Sequence, residues 1–220
     1  MKAEINIKDK TLPYCAVFLG WSADPTITKH IAAGNINTIF VYDYSDDNSD
    51  NVIELFNKIE GKLIVAAWSM GVWAYSCYIR QFLTYKPYKE IALMGTPYGI
   101  DKQYGISPET FKATVKHFSK ENYTLFLKRA EIPNTPSRSM ENIRKELNFL
   151  WERKDIKPDI KTISFDFAVC GKHDKIFPPA AQRIFWESMS VRYIETDGGH
   201  YPFYNLKKWE HLDYENFISV

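Results

Sequence analysis

Apolar residues recur along this chain in short runs, each closed by a cluster of turn formers, and the stretches between runs carry helical spacing. The run at 14–20 (Tyr-Cys-Ala-Val-Phe-Leu-Gly) reads as a buried strand ending in the loop Gly20-Trp21-Ser22-Ala23-Asp24-Pro25. A short helix is expected at 27–33, stopped by Gly34. The next strand is predicted at 37–42. An acidic turn follows, and Asp50 is expected to cap a helix whose apolar face is Val52, Ile53, Leu55, Phe56 and Ile59. Residues 63–67 are wholly apolar, and small and apolar residues resume after Ser69 with helix-compatible spacing to about residue 83. Further strands are predicted at 91–97, 164–170 and 191–195, with helices at 180–188 and 206–217.

Short apolar strands alternating with helices predict an α/β fold: a mostly parallel central sheet covered by helices on both faces. Residues 100–158 break the rhythm. They hold helical patterns near 111–118, 123–129 and 139–153 but no convincing strand. An excursion of that size between sheet strands is expected to form a helical lid on a single domain spanning 1–220.

Composition narrows the picture. A chain of 220 residues, 45% hydrophobic, can bury a core without staples. Its net charge of +1 gives no reason to expect a nucleic-acid partner. No apolar run is long enough to cross a membrane, and residues 1–6 lack the apolar core of a signal peptide. Cys15, Cys77 and Cys170 lie far apart in apolar stretches, so buried free thiols and a cytoplasmic location are expected. Charge is unevenly spread: residues 112–157 hold 11 Lys/Arg against 6 Asp/Glu, leaving 17 against 21 elsewhere. Exposed helices carry such residues for solubility alone. The regional excess nevertheless fits an acidic partner.

Candidate chemistry centres on Ala67-Trp68-Ser69-Met70-Gly71. Strand, one serine, helix is the layout of a nucleophile elbow, in which a strained turn lifts the serine above the sheet. Small residues two before and two after keep room where the two backbones converge. A serine hydroxyl needs a base, and the base an orienting acid, in the chain order Ser, Asp or Glu, His. His200 meets that order, in a Gly-Gly-His loop after the predicted strand at 191–195. Among its competitors, His30 and His117 lie in predicted helices, His211 in the closing helix, and His173 before the last strand. Asp174 follows the strand at 164–170; Asp166 sits within that strand, and Asp197 suits the turn it occupies. Backbone N–H groups of Met70 and Trp21 are the expected oxyanion donors. No metal or organic cofactor is expected. Phe111, Phe126, Phe149 and Trp151 are candidates to line an acyl channel, and equally ordinary lid packing.

Together these residues resemble the α/β-hydrolase superfamily. The segments Phe18-Leu19-Gly20-Trp21, Ala67-Trp68-Ser69-Met70-Gly71-Val72-Trp73-Ala74, Gly95-Thr96-Pro97-Tyr98-Gly99-Ile100 and Gly198-Gly199-His200-Tyr201-Pro202-Phe203 resemble the BioG-type pimeloyl-[acyl-carrier protein] methyl ester esterases. The resemblance implies a carboxylesterase of biotin synthesis, with Ser69, Asp174 and His200 on the triad positions. It also implies docking of an acidic acyl-carrier protein on basic lid residues, for which Lys128, Arg129, Arg138, Arg144, Lys145, Arg153 and Lys154 are candidates. Many related esterases have His before the Gly-Trp pair, where this chain has Leu19. Two rivals stand beside this reading: a general short-chain esterase or thioesterase, and a non-catalytic binding module on the same fold.

Overall fold

The computed structural model of the protein describes residues 1–212. Its strands are β1 (Lys2–Asn6), β2 (Tyr14–Phe18), β3 (Asn37–Tyr42), β4 (Leu63–Trp68), β5 (Lys89–Leu93), β6 (Phe167–Gly171) and β7 (Tyr193–Thr196). They form one sheet in the order β1-β3-β2-β4-β5-β6-β7. β1 runs antiparallel to β3, and every other neighbouring pair is parallel. β1 has no counterpart among the expected elements. All five of its residues are exposed, so no buried stripe marks it in sequence, and only its pairing of Glu4 with Phe40 and Ala3 with Val41 makes it a strand.

The central strands are buried on both faces, which is why they read as unbroken apolar runs rather than alternations. Along β2, Ala16 and Phe18 enter one core while Cys15 and Val17 enter the other. The first core is covered by helices α1 (Asp50–Asn57), α2 (Met70–Tyr78) and α6 (Pro179–Ser188), together with α3 (Pro108–Lys116), α4 (Lys120–Arg129) and α5 (Met140–Glu152). The second is covered by Ile27, Ile31 and Ile36 from one segment and by Tyr201, Phe203, Leu206, Trp209 and Leu212 from another.

Those covering segments depart from the helices expected for them. Asp24 accepts from the Thr26 N–H and starts a single 3₁₀ turn at Pro25–Thr28, and the chain is not helical from 29 to 33. The reason is a backbone commitment: Ala32 donates to Lys207 O and accepts from Trp209 N–H, both at about the length of a sheet bond (2.9 and 3.0 Å). The same pairing limits 206–212 to a 3₁₀ turn at Trp209–His211; the remainder of the expected closing helix lies outside the described residues. Asp50 is the first residue of α1 rather than its cap, a place taken by Ser49. α2 stops at Tyr78, before a 3₁₀ turn at Arg80–Phe82.

The excursion between β5 and β6 is helical as its spacing predicts. Each of its helices begins on a serine: Ser107, Ser119 and Ser139 accept from the N–H of Thr110, Asn122 and Asn142. A cap of this kind is worth about 1 kcal/mol and fixes where a helix begins. Cys15, Cys77 and Cys170 are buried and unpaired, and burial pushes each thiol up to about 12. Among the described residues no helix is long and apolar enough to cross a membrane.

Candidate active site

In this sheet the strand order turns at β2, which lies between β3 and β4. A crevice opens where connections leave a parallel sheet in opposite directions, at the carboxyl ends of the strands. Gly20 and Trp21 follow β2 there, and Ser69 follows β4.

Ser69 has φ 57° and ψ −125°, a conformation that residues with a Cβ rarely adopt. It is held by the Ser69 N–H donating to Leu93 O at 2.9 Å and by the start of α2 on the next residue. The turn demands glycine nearby. A Cβ on Gly71 would stand 2.3 Å from the Phe18 carbonyl oxygen, and one on Gly95 would stand 2.7 Å from that of Ser69. Both atoms are backbone and cannot step aside. Gly20 runs close against the nucleophile's side chain, since a Cβ there would lie 3.1 Å from Ser69 Cβ.

His200 Nε2 lies 2.9 Å from Ser69 Oγ, and His200 Nδ1 lies 2.9 Å from Asp174 Oδ2. An ionised carboxylate only accepts, so Nδ1 carries the proton and Nε2 presents its lone pair to the serine hydroxyl. Asp174 is itself held. Its Oδ1 accepts from the N–H groups of Ile176 and Phe177, both at 2.8 Å, and Oδ2 accepts from Gln182 Nε2 at 3.2 Å. The loops bearing Asp174 and His200 lean on one another: His173 N–H donates to Gly198 O, and Gly171 packs so tightly on Gly199 that a Cβ would stand 2.3 Å from its oxygen. All three side chains are buried. Met70 opens α2, so its N–H has no acceptor within the helix. Among the described residues no backbone carbonyl takes the Trp21 N–H. Both residues line the same cavity as Ser69.

A cavity of about 440 Å³ reaches Ser69, His200, Trp21 and Met70. Phe111, Phe118, Tyr123, Phe126 and Leu147 from the excursion wall it. Of the four aromatic residues proposed for a channel, Phe111 and Phe126 line this cavity and Phe149 and Trp151 do not. Trp151 instead stacks behind Phe111, with centroids 6.5 Å apart.

The basic residues divide. Lys128, Arg129, Arg144 and Lys145 are exposed, and Arg129 also lines the cavity. Arg153 pairs with Asp47 at 2.8 Å, and Lys154 lies over Trp151. Arg138 departs from the docking set. It points inward, its side chain 6% exposed, to pair with Asp43 at 2.7 Å and Glu146 at 2.6 Å. Two buried carboxylates hold it there, so its charge is engaged inside the protein.

Sequence reasoning missed Gln182, Glu146 and Lys175. Lys175 lines the cavity one residue beyond Asp174. Glu146 had a signal: it falls on the apolar stripe of α5 with Ile143, Leu147 and Leu150, where a carboxylate needs a partner. Among the competitors, His117 lines the same cavity, whereas two acids and one histidine serve elsewhere. Asp166 accepts from Glu90 N–H, Asp197 pairs with Lys172, and His30 bonds to Phe203 O.

Sheet order and the strand-turn-helix carrying Ser69 define an α/β-hydrolase fold. An esterase from Exiguobacterium antarcticum shares that fold at TM-score 0.63, with 13% identity, over 92% of this chain and 88% of its own. Within the fold, the chain belongs to the family described as pimeloyl-ACP methyl esterase BioG, whose model matches residues 4–212. The crystal structure of BioG from Haemophilus influenzae superposes at TM-score 0.82, with 26% identity, over 96% of this chain and 99% of that one. A Bacteroides fragilis protein named malonyl-[acyl-carrier protein] O-methyltransferase is 32% identical over 201 residues, 87% of this chain. The chain spans 40% of that relative's length. A Haemophilus influenzae relative is 28% identical over 204 residues, 89% of this chain and 91% of its own.

Proposed function

We propose that this chain is a serine carboxylesterase that hydrolyses the methyl ester of a pimeloyl chain carried on acyl-carrier protein, a step of biotin synthesis. The observation that carries the proposal is the Ser69–His200–Asp174 relay, with both contacts at 2.9 Å, opening into an apolar cavity of about 440 Å³. Ser69 Oγ attacks the ester carbonyl while His200 Nε2 takes its proton and Asp174 holds the imidazolium. The N–H groups of Trp21 and Met70 bind the oxyanion. His200 then protonates the departing methoxide oxygen, which leaves as methanol, and water, activated by the same imidazole, releases the acid. No metal or organic cofactor enters these steps.

The neutral ester and its methylene chain match the apolar walls. In this reading residues 100–158 are a lid on a single hydrolase domain. The exposed cations Lys128, Arg129, Arg144 and Lys145, with the half-buried and ion-paired Arg153 and Lys154 beside them, are the face offered to the acidic carrier, and the enzyme works in the cytoplasm with its thiols free.

The test is hydrolysis of pimeloyl-carrier-protein methyl ester beside a short aryl ester, with wild type, Ser69→Ala and the double variant Lys128→Glu/Lys145→Glu. The expected result is carrier-ester cleavage by wild type, none by Ser69→Ala, and a charge-reversed variant weakened on the carrier ester alone. Cleavage of the aryl ester only would make this a general short-chain esterase. No labelling of Ser69 by a fluorophosphonate would make it a binding module.

A further inference from the structure

The oxyanion loop is held from the excursion by one buried carboxylate. Glu146 Oε2 accepts from the Ser22 N–H at 3.0 Å and from Arg138 Nη1 at 2.6 Å, and its Oε1 accepts from the Tyr44 N–H at 2.9 Å. Ser22 follows the oxyanion donor Trp21 directly, and it adopts φ 69°, a left-handed conformation that costs a serine energy and persists only where its surroundings impose it. One turn before Glu146 in α5, Ile143 O accepts from Trp21 Nε1 at 3.2 Å. Tyr44, whose N–H is the second backbone amide on Glu146, sends its hydroxyl back to Leu19 O at 2.8 Å, on the other side of Gly20–Trp21. Both ends of the loop are thus tied, directly or through Tyr44, to one carboxylate. Arg138 supplies the opposite charge and reaches on to Asp43, which also pairs with Lys2 at 2.8 Å.

We propose that Glu146, held by Arg138, is a positioning residue for the ester hydrolysis: it aims the Trp21 N–H at the developing oxyanion. The role rests on the serine-esterase reading above. The physical requirement is directional. An oxyanion donor contributes only when it already points at the transition-state oxygen, and the Trp21 amide plane is set by how Ser22 is anchored on its far side. A carboxylate suits the task because it can accept from two amides and a guanidinium at once, where a neutral amide side chain must turn an N–H toward one of those donors. The device also makes the oxyanion hole depend on the seating of α5, so the excursion contributes to the chemistry as well as to the cavity wall.

Glu146→Asp keeps the charge for Arg138 but shortens the reach to Ser22 and Tyr44; Glu146→Gln keeps the reach and loses the charge. Active sites are first counted by fluorophosphonate titration, and kcat is expressed per titrated site on an aryl ester. Removing an oxyanion donor outright costs about 10²–10³ in kcat, so misaiming one is expected to lower kcat about 10- to 100-fold with KM changed less than about threefold. Affinity for a trifluoromethyl ketone, which forms the tetrahedral oxyanion on Ser69, should fall by the same factor as kcat/KM. A merely structural role would lower Tm and the titratable fraction and leave kcat per site and ketone affinity unchanged, and that result overturns the proposal. Whichever of the two variants folds decides it. If wild type neither labels nor cleaves any ester, the esterase reading falls and the positioning role falls with it; a normal wild type with silent variants removes the positioning role alone.

Discussion

The indole Nε1–H of Trp68 donates to the main-chain carbonyl of His200 at 2.8 Å. The residue before the nucleophile therefore carries the loop that bears the base, and its ring packs 5.4 Å from the imidazole, 5.7 Å from Tyr201 and 5.8 Å from Phe203. The carboxyl end of β4 and the loop after β7, with β5 and β6 lying between the two strands, are joined through one side chain. Trp68→Phe keeps most of the ring packing and leaves the buried His200 carbonyl without that donor. A buried group deprived of its partner costs about 1–3 kcal/mol. At about 2–4 °C per kcal/mol for a chain of this size, thermal unfolding should show a clear drop in Tm. kcat should fall more than KM rises, because the imidazole loses its support rather than the substrate its cavity. An unchanged Tm would show that the bond contributes no stability.

Asp174→Asn tests the tautomer. The amide N–H₂ placed toward His200 Nδ1 makes that nitrogen an acceptor and turns the proton to Nε2, facing Ser69 Oγ, where a base is required. In serine hydrolases this exchange lowers kcat by about 10⁴ with the geometry kept. A steady-state assay at neutral pH should show a loss of that order, with a folded protein by circular dichroism. Activity within tenfold of wild type would remove Asp174 from the relay.

Backbone strain at Ser69 predicts a difference between two inactive variants. Alanine keeps the Cβ that makes φ 57°, ψ −125° costly, whereas glycine reaches that conformation freely. Ser69→Gly should therefore be more stable than Ser69→Ala by about 1 kcal/mol, the lower end of the cost of such conformations. Denaturant unfolding of the pair reads the difference directly. Equal stability, or alanine ahead, would mean that the turn stores no strain.

Gly71→Ala is expected to be damaging for a steric reason. The new Cβ would meet Phe18 O at 2.3 Å and Leu19 O at 2.8 Å, so α2 or β2 must move, and both carry the site. Overpacking of this kind costs about 1–3 kcal/mol, and a clash with backbone belongs at the upper end. Lowered Tm together with lost esterase activity is the outcome to look for. Ala at this position with wild-type activity would show that the two backbones separate at no cost.

Burial of the three thiols predicts both reactivity and pH dependence. With each thiol pushed up to about 12, only about one in 10⁴ is thiolate at pH 8, so a disulfide reagent should find all three slow in the native protein and fast in denaturant. The native state keeps these protons where the unfolded chain sheds them. Their contribution to stability is complete below about pH 9 and falls as pH rises toward about 12. Tyr44 and Tyr75, held well above the ordinary phenol range by burial, act in the same direction at higher pH. Unfolding free energy measured from pH 8 to 11 should decline, and Cys15→Ala should flatten the decline. A flat profile in wild type would refute the linkage.

The sequence by itself determined what depends on neighbours along the chain. Strands buried on both faces announce themselves as apolar runs, serine caps place α3, α4 and α5, and the Ala-x-Ser-x-Gly turn marks Ser69, because each is decided within a few residues. Chain order then pointed to Asp174 and His200, and the fold brings both to Ser69. Tertiary structure alone decided whatever depends on a partner far away in sequence. β1 exists only through β3, and Ala32 left the expected helix for a backbone partner at Lys207 and Trp209. Arg138 counted as a surface cation until Asp43 and Glu146, drawn from a turn after β3 and from α5, met it inside. Charge composition records how many cations a segment holds. Which of them face solvent is a matter of burial, where desolvation and ion pairing set the outcome, and those arise only when distant segments pack together.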